Sequence, residues 1–196
     1  MGEVKNQIQK LVAESGSKFK ARKAAEAWFI ASKSAKNEKA VATISKRFYP
    51  GKVYVFRYSP IGLKDLPWFD KNPVVLALDP DGGNDVGINL NLLPEKGKED
   101  LLDKVYGQFS AEIARNSIGP LKNDAIRQGH LGFNYGDAKG FLKGPGYDFA
   151  LRQYKPGGKS GQTVVSYENW GRIALCDFAD LQGTSRRELD MLFKKR

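Results

Sequence analysis

The sequence predicts an α+β protein: a small, strongly bent antiparallel sheet, of the kind an SH3-like barrel uses, flanked by helices at the N- and C-terminal ends. Three observations predict it. Apolar residues recur at three- and four-residue steps near both ends, the period of a helix face. From Lys52 the period changes to two, the period of a strand. Turn signals, Ser59-Pro60-Ile61-Gly62 and Pro80-Asp81-Gly82-Gly83-Asn84-Asp85, separate the alternating runs.

In chain order, residues 1–11 are polar and weakly patterned. Ser17 is placed to cap a helix running to about Ser34, with Ala21, Ala24, Ala25, Trp28 and Ala31 or Ser32 on one side. The small alanines let that helix lie close to a partner surface, with Trp28 as its anchor, and Lys18, Arg22 and Lys23 lie mostly off the stripe. Residues 33–48 are a polar connection without the Pro/Gly signature of a domain boundary. In the first strand Val53, Val55 and Arg57 alternate with Tyr54, Phe56 and Tyr58. Large side chains on both sides imply that both faces are covered. Residues 65–73 read as a rigid loop braced by Pro67 and Pro73. Residues 74–79 form a short apolar strand. Residues 86–93 alternate again, with Val86, Ile88, Leu90 and Leu92 on one side, which completes a three-stranded meander.

Residues 100–109 predict a short helix with Leu101, Leu102, Val105 and Phe109 inward, followed by helical turns broken at Gly119-Pro120. Residues 131–161 are glycine-dense and read as a long irregular excursion, the sort of segment that contacts a partner. Residues 163–178 return to strand and apolar run. Ser185 and Glu188 have capping-box spacing, which starts a basic helix over 186–195 with Leu189, Leu192 and Phe193 inward. The organisation expected is a basic helical N-terminal arm, 1–47, on an α+β core, 48–196. No internal repeat is visible.

Charge is segregated. Residues 1–47 carry 11 Lys/Arg and 4 Asp/Glu, residues 186–196 carry 5 and 2, and the 16 of each sign between them cancel, so the whole net charge of +10 sits at the ends. Such asymmetry suggests basic tails on an ordinary domain, with a polyanion as partner. The residues that would meet DNA phosphates are Lys18, Lys20, Arg22 and Lys23 at one end and Arg186, Arg187, Lys194, Lys195 and Arg196 at the other.

Catalytic chemistry finds little support. The one cysteine, Cys176, lies in an apolar run and reads as a buried, inert thiol. It fits a reducing cytoplasm. His130 is the only histidine; one His and one Cys do not make a zinc site. Asp79, Asp81, Asn84 and Asp85 carry oxygen ligands but lack the spacing and distal glutamate of a calcium loop, and hairpin chemistry explains them. Gly157-Gly158-Lys159-Ser160 lacks the first glycine of a phosphate loop and precedes a strand. A mobile basic loop touching a phosphate backbone stays open there. Residues 94–100 (PEKGKED) have the letters of a nuclease motif but read as a loop and helix start. Tyr54, Phe56, Tyr58, Trp68 and Phe69 suit either a base-stacking platform or packing. No cofactor or metal is implied. No apolar run reaches the roughly 20 residues that span a bilayer, and the N-terminus lacks the apolar core of a signal peptide.

One stretch carries a resemblance. The pattern F-x-P-G-K-V-Y-x-F-x-Y-x-P, then L-P-W-F-D-x-x-P-V-V-L-A-L, then G-I-N-L-N-L-L-P, over residues 48–94, resembles a protein group of T4-like tailed bacteriophages. Its members read G-K-x-Y-x-F-x-Y-x-P, L-P-Y-Y-D-x-F-P-L-V and G-x-N-x-H-Y-L-P. Trp28-Phe29, Glu168 to Leu175 and Gly183 to Ser185 extend the likeness faintly, to about half the chain. This sequence departs from the group at Trp68-Phe69, where Tyr-Tyr is usual, and at Asn91-Leu92, where His-Tyr is usual. Such proteins are labelled DNA end protector or head completion protein. The resemblance implies a non-enzymatic, DNA-binding phage protein, present in the host cytoplasm during assembly and in the virion, with DNA and other virion proteins as partners. It implies no catalytic residue. Two alternatives stand beside it: a structural part of the neck, tail or baseplate that docks on other phage proteins, and a metal-dependent nuclease.

Overall fold

The structure, a computed structural model, describes residues 2–34, 41–43, 48–60, 69–79, 84–116, 134–177 and 181–182. The first helix, α1 (Glu3–Ser15), lies where the polar N-terminus gave no expectation. Val4 and Ile8 are buried at a four-residue step, and Leu11 and Val12 extend the same face against the core. Its N-cap, Gly2, has no side chain to offer. The missing acceptor comes from far along the chain: Asp103 Oδ1 accepts the Val4 N–H at 2.6 Å, satisfying a first-turn donor that nothing in the helix can reach. A Cβ at position 2 would stand 1.9 Å from Asp103 Oδ2, so a larger residue there must displace the capping carboxylate. Gly16, at φ +75°, closes the helix by donating to the Ala13 carbonyl, the left-handed cap that glycine adopts without strain.

Helix α2 (Lys18–Ser34) follows at once, and the Ser17 hydroxyl caps it by accepting the Lys20 N–H at 3.2 Å. Ala21, Ala25 and Phe29 are its buried residues. The inward stripe is thus rotated from the one expected. Phe29 is the anchor, Trp28 is half-buried with the Arg172 guanidinium 5.6 Å above its ring, and Ala24 faces out. Both helices contribute to the same apolar cluster as the strands, so the described part of residues 1–47 is integral to the core and not a separate arm.

Among the described residues eight strands occur, in the order β1 (Val41–Thr43), β2 (Val53–Tyr58), β3 (Phe69–Asp70), β4 (Val74–Ala77), β5 (Asp85–Asn89), β6 (Leu151–Tyr154), β7 (Lys159–Val165) and β8 (Leu181–Gln182). Six make one sheet ordered β1-β7-β2-β4-β5-β6, and β3 pairs with β8 alone. Every pairing is antiparallel. The β2-β4-β5 meander forms as its alternation predicts, with Leu76 opposite both Val53 and Ile88. The fold is α+β with a small antiparallel sheet, but an SH3-like barrel is not what forms. Closure needs the two outer strands to pair, and here β1 and β6 stand at opposite edges.

Alternation sends Val53, Val55, Val74, Leu76, Val86 and Ile88 toward the helices, and Tyr54, Phe56, Tyr58, Val75 and Ala77 to the other side. The helical side is closed by α1, α2, α3 (Glu95–Asn116) and α5 (Trp170–Leu175). Helix α3 starts five residues before its apolar residues announce it, with Leu101, Leu102 and Val105 inward. Strand β5 ends at Asn89 and not at Leu93: the Asn89 side chain accepts the Asn91 N–H and starts a 3-10 turn, Leu90–Leu92. The apolar run after Tyr167 is helix α5, not strand. Its Gly171 N–H donates to Gln7 Oε1 at 2.8 Å, and a Cβ there would meet Gln7 Cβ at 2.6 Å, which is how α1 and α5 come so close.

The glycine-dense stretch is not an irregular excursion where the structure describes it. Residues 134–161 hold helix α4 (Tyr135–Lys143), strand β6 and the start of β7. Asn134 and Asp137 cap α4 reciprocally, side chain to backbone, at 3.0 and 3.1 Å. The N-x-x-D spacing was the signal for it. No helix among the described residues is long and apolar enough to cross a membrane.

Candidate functional site

The basic N-terminal cluster lands on α2, and its own chain occupies most of it. Glu95, in the first turn of α3, accepts Lys18 Nζ on Oε1 and Arg22 Nη2 on Oε2, both at 2.7 Å. Burial pushes the Glu95 carboxyl up, but the hydrogen bonds and charges of Lys18 and Arg22 outweigh it and hold the group below the ordinary carboxylate range. The helix dipole favours an acid at that position as well. Lys23 Nζ meets Glu26 Oε2 at 2.9 Å, one turn along α2. Lys20 is exposed and has no acid in ion-pair contact among the described residues. So Lys18, Arg22 and Lys23 each have an acid partner within the chain while their side chains stay 60%, 43% and 63% exposed, and Lys20 faces solvent beside them. Arg186, Arg187, Lys194, Lys195 and Arg196 lie outside the described residues, as do the predicted C-terminal helix and His130.

What α2 presents outward is a mixed surface. Phe19 is 70% exposed and Ile30 is 64% exposed, the two most exposed large apolar side chains described. With Lys20, Lys23, Ala24, Ala27 and Ala31 they make the outer face. Sequence reasoning gave Phe19 and Ile30 no role, although their spacing on the side opposite Ala21 and Ala25 was readable.

The residues singled out for chemistry turn inward. Lys159, from the glycine-lysine loop, pairs with Asp85, with side-chain exposures of 0% and 2%. Its ammonium also sits 4.1 Å above the Phe48 ring, and Asp85 Oδ1 accepts the Phe48 N–H at 3.0 Å. That one ion pair removes Lys159 from any phosphate contact and Asp85 from any calcium site. Gly158 packs against the Ser59 carbonyl, where a Cβ would stand at 2.7 Å. Among the described residues no three His, Cys, Asp or Glu side chains gather to hold a metal. Cys176 is buried, and burial pushes its thiol up, away from the reactive thiolate. The nuclease-like letters form the first turns of α3. There Lys98 is buried, donates to the Cys176 carbonyl, and is held low by burial against the opposing charge of Asp177.

Phe48, Tyr54, Phe56 and Tyr58 are packing, with Phe69 against them, and Trp68 lies outside the described residues. Phe48 stacks on Tyr54 at 4.6 Å, and Phe56, Tyr58 and Tyr154 meet edge to face at 5.1 to 6.3 Å. Tyr54 is fully covered; burial pushes its phenol up to about 12, with the Tyr49 N–H at 2.8 Å pulling only partly back. Asp70 Oδ2 accepts the side-chain amides of Asn89 and Asn91, and Oδ1 accepts the Asn72 N–H. The Asp of the proline-braced loop and the N-L-N of the last motif are therefore one buried network. Asn91, where the resembling group carries His, is a structural donor here.

Comparisons with protein-family models, with curated proteins and with solved structures find no match to this chain. Among the described residues, then, Lys159 and Asp85 are paired inside the sheet, and Lys98 and Cys176 are buried on its helical side.

Proposed function

We propose that this chain is a non-enzymatic assembly protein of a tailed bacteriophage, a structural part that docks on other virion proteins through the outer face of α2. The observation that carries it is the pair of exposed side chains, Phe19 and Ile30, on a helix whose opposite side is fully anchored. Exposed Ala24, Ala27 and Ala31 lie along the same outer side, so α2 presents an apolar strip of the kind that marks a contact site where it is contiguous. Support also comes from the inward use of Lys159, Asp85, Cys176 and Lys98, and from the resemblance of residues 48–94. The test is retention. Particles of the encoding phage, purified on a density gradient, should carry the protein, and Phe19→Asp should abolish its incorporation while leaving its circular dichroism unchanged. Wild-type protein missing from purified particles overturns the reading.

DNA binding is the second reading, favoured by the net charge of +10. With Lys18 and Arg22 held by Glu95, it rests on Lys20 and the C-terminal basic residues. Glu95→Gln releases both cations. If α2 contacts duplex phosphates, that variant binds DNA more tightly and with a steeper salt dependence, because each added phosphate contact releases condensed counterions. No change in DNA affinity removes α2 from the DNA reading.

A further inference from the structure

Along the outer side of α2 the residues Phe19, Lys23, Glu26 and Ile30 are spaced four, three and four apart. At about 100° per residue all four fall within an arc of about 60°, the spacing of a coiled-coil seam. Ala27, beside the middle of this seam, adds no bulk. The seam has one cation and one anion, so it is neutral. That disfavours a polyanion as its occupant and equally a purely acidic or basic protein patch. Its order is also self-complementary. Read backwards about a point between residues 24 and 25, Phe19 falls on Ile30 and Lys23 falls on Glu26.

From this we infer that α2 pairs with α2 of a second copy of the chain, antiparallel about a two-fold axis. Phe19 then covers the partner's Ile30 and Lys23 meets the partner's Glu26. The symmetry makes each contact twice, because an isologous interface repeats every pair. The side of α2 that carries Ala21, Ala25 and Phe29 stays in the core, and pairing asks only that Lys23 exchange its own Glu26, 2.9 Å away, for the partner's. The inference rests on the reading that this face is a docking surface, and assigns it to a second copy of the chain in place of another virion protein.

Sedimentation equilibrium of the full chain tests it. The expected mass is twice the 21.8 kDa of one chain. Lys23→Glu alone and Glu26→Lys alone each put like charges opposite one another at two places and should weaken the dimer on the order of tenfold. An equimolar mixture of the two variants should restore wild-type affinity as a heterodimer, since each reversed charge finds its complement only in the other chain. Phe19→Asp should give a folded monomer. A chain that stays monomeric at every concentration overturns the pairing, as does a dimer indifferent to all three substitutions or single variants that do not recover on mixing. Failure of the broader docking reading is separate. A monomeric chain whose Phe19→Asp variant is lost from particles sinks self-pairing alone, and a Phe19→Asp variant that changes neither mass nor retention sinks both.

Discussion

Replacing Lys159 with Met should be among the most damaging single changes in this molecule. The substitution keeps a long unbranched side chain under Phe48 but removes the charge that answers Asp85. Asp85 is left 2% exposed, with the Phe48 N–H still donating to it at 3.0 Å. Breaking a buried pair by removing one partner costs about 3–5 kcal/mol, because the survivor is a buried charge without compensation. The cation lying 4.1 Å above the Phe48 ring is lost with it. For a domain of this size each kcal/mol moves the midpoint of melting by about 2–4 °C, so a fall of roughly 6–20 °C is expected. An exposed pair such as Lys10–Glu14, at 4.0 Å with side chains 77% and 58% exposed, is worth at most about 0.5 kcal/mol by contrast. Urea unfolding at neutral pH measures the difference, provided the slope with denaturant stays that of the wild type. Adding Asp85→Asn should recover part of the loss, since the amide oxygen still accepts the Phe48 N–H and no charge is stranded. A loss below about 1 kcal/mol for Lys159→Met, the worth of a solvated pair, would refute the reasoning, and so would a double variant weaker than the single one.

Four further outcomes are expected. Gly87→Ala should destabilise by about 1–3 kcal/mol or more, because its Cβ would stand 2.3 Å from Val75 Cγ1 and 2.6 Å from the Leu76 carbonyl. Gly107→Ala, in α3 with nothing within 4 Å, should instead gain about 0.5–1 kcal/mol from helix propensity; thermal melting of the two side by side checks both signs. Tyr154→Phe should be neutral or stabilising by up to about 1 kcal/mol, since the hydroxyl is buried without a hydrogen-bond partner among the described residues. A clear loss in urea would reveal a partner for it. Glu95 contributes stability because its folded carboxyl is held below the ordinary value of 4.5. That contribution is fully present above the unfolded value and fades as pH falls through the depressed folded one. Glu95→Gln should therefore be less stable than wild type at neutral pH, with the gap closing in acid; a gap that widens in acid would reverse the sign.

Much of the sheet was legible because strand periodicity is local. The two-sided alternation of residues 53–58 requires cover on both faces, and both are covered. The turn residues at 80–85 require β4 and β5 to be neighbours, and they are. The inertness of Cys176 follows from its apolar neighbours in the chain. The first helix is only weakly marked: Val4, Ile8, Leu11 and Val12 carry its period, but polar residues fill the rest of residues 3–15. The capping spacing of Asn134 and Asp137 was likewise present but outweighed by the surrounding glycines. Asp103 capping α1 was not readable at all, since nothing local marks an acceptor supplied 99 residues away.

Sequence periodicity by itself determined that this chain carries both helical and sheet segments and that the large side chains of residues 53–58 fall on two opposite faces, since side-chain direction in a strand repeats every two residues whatever the strand packs against. Tertiary structure alone decided that β7 inserts between β1 and β2, that the sheet stays open, and that Glu95 captures Lys18 and Arg22. Strand order and ion pairing are set by which distant groups meet when apolar surface is buried. Counting charges along the chain therefore placed the positive residues on α2 but did not reveal which of them the fold would neutralise.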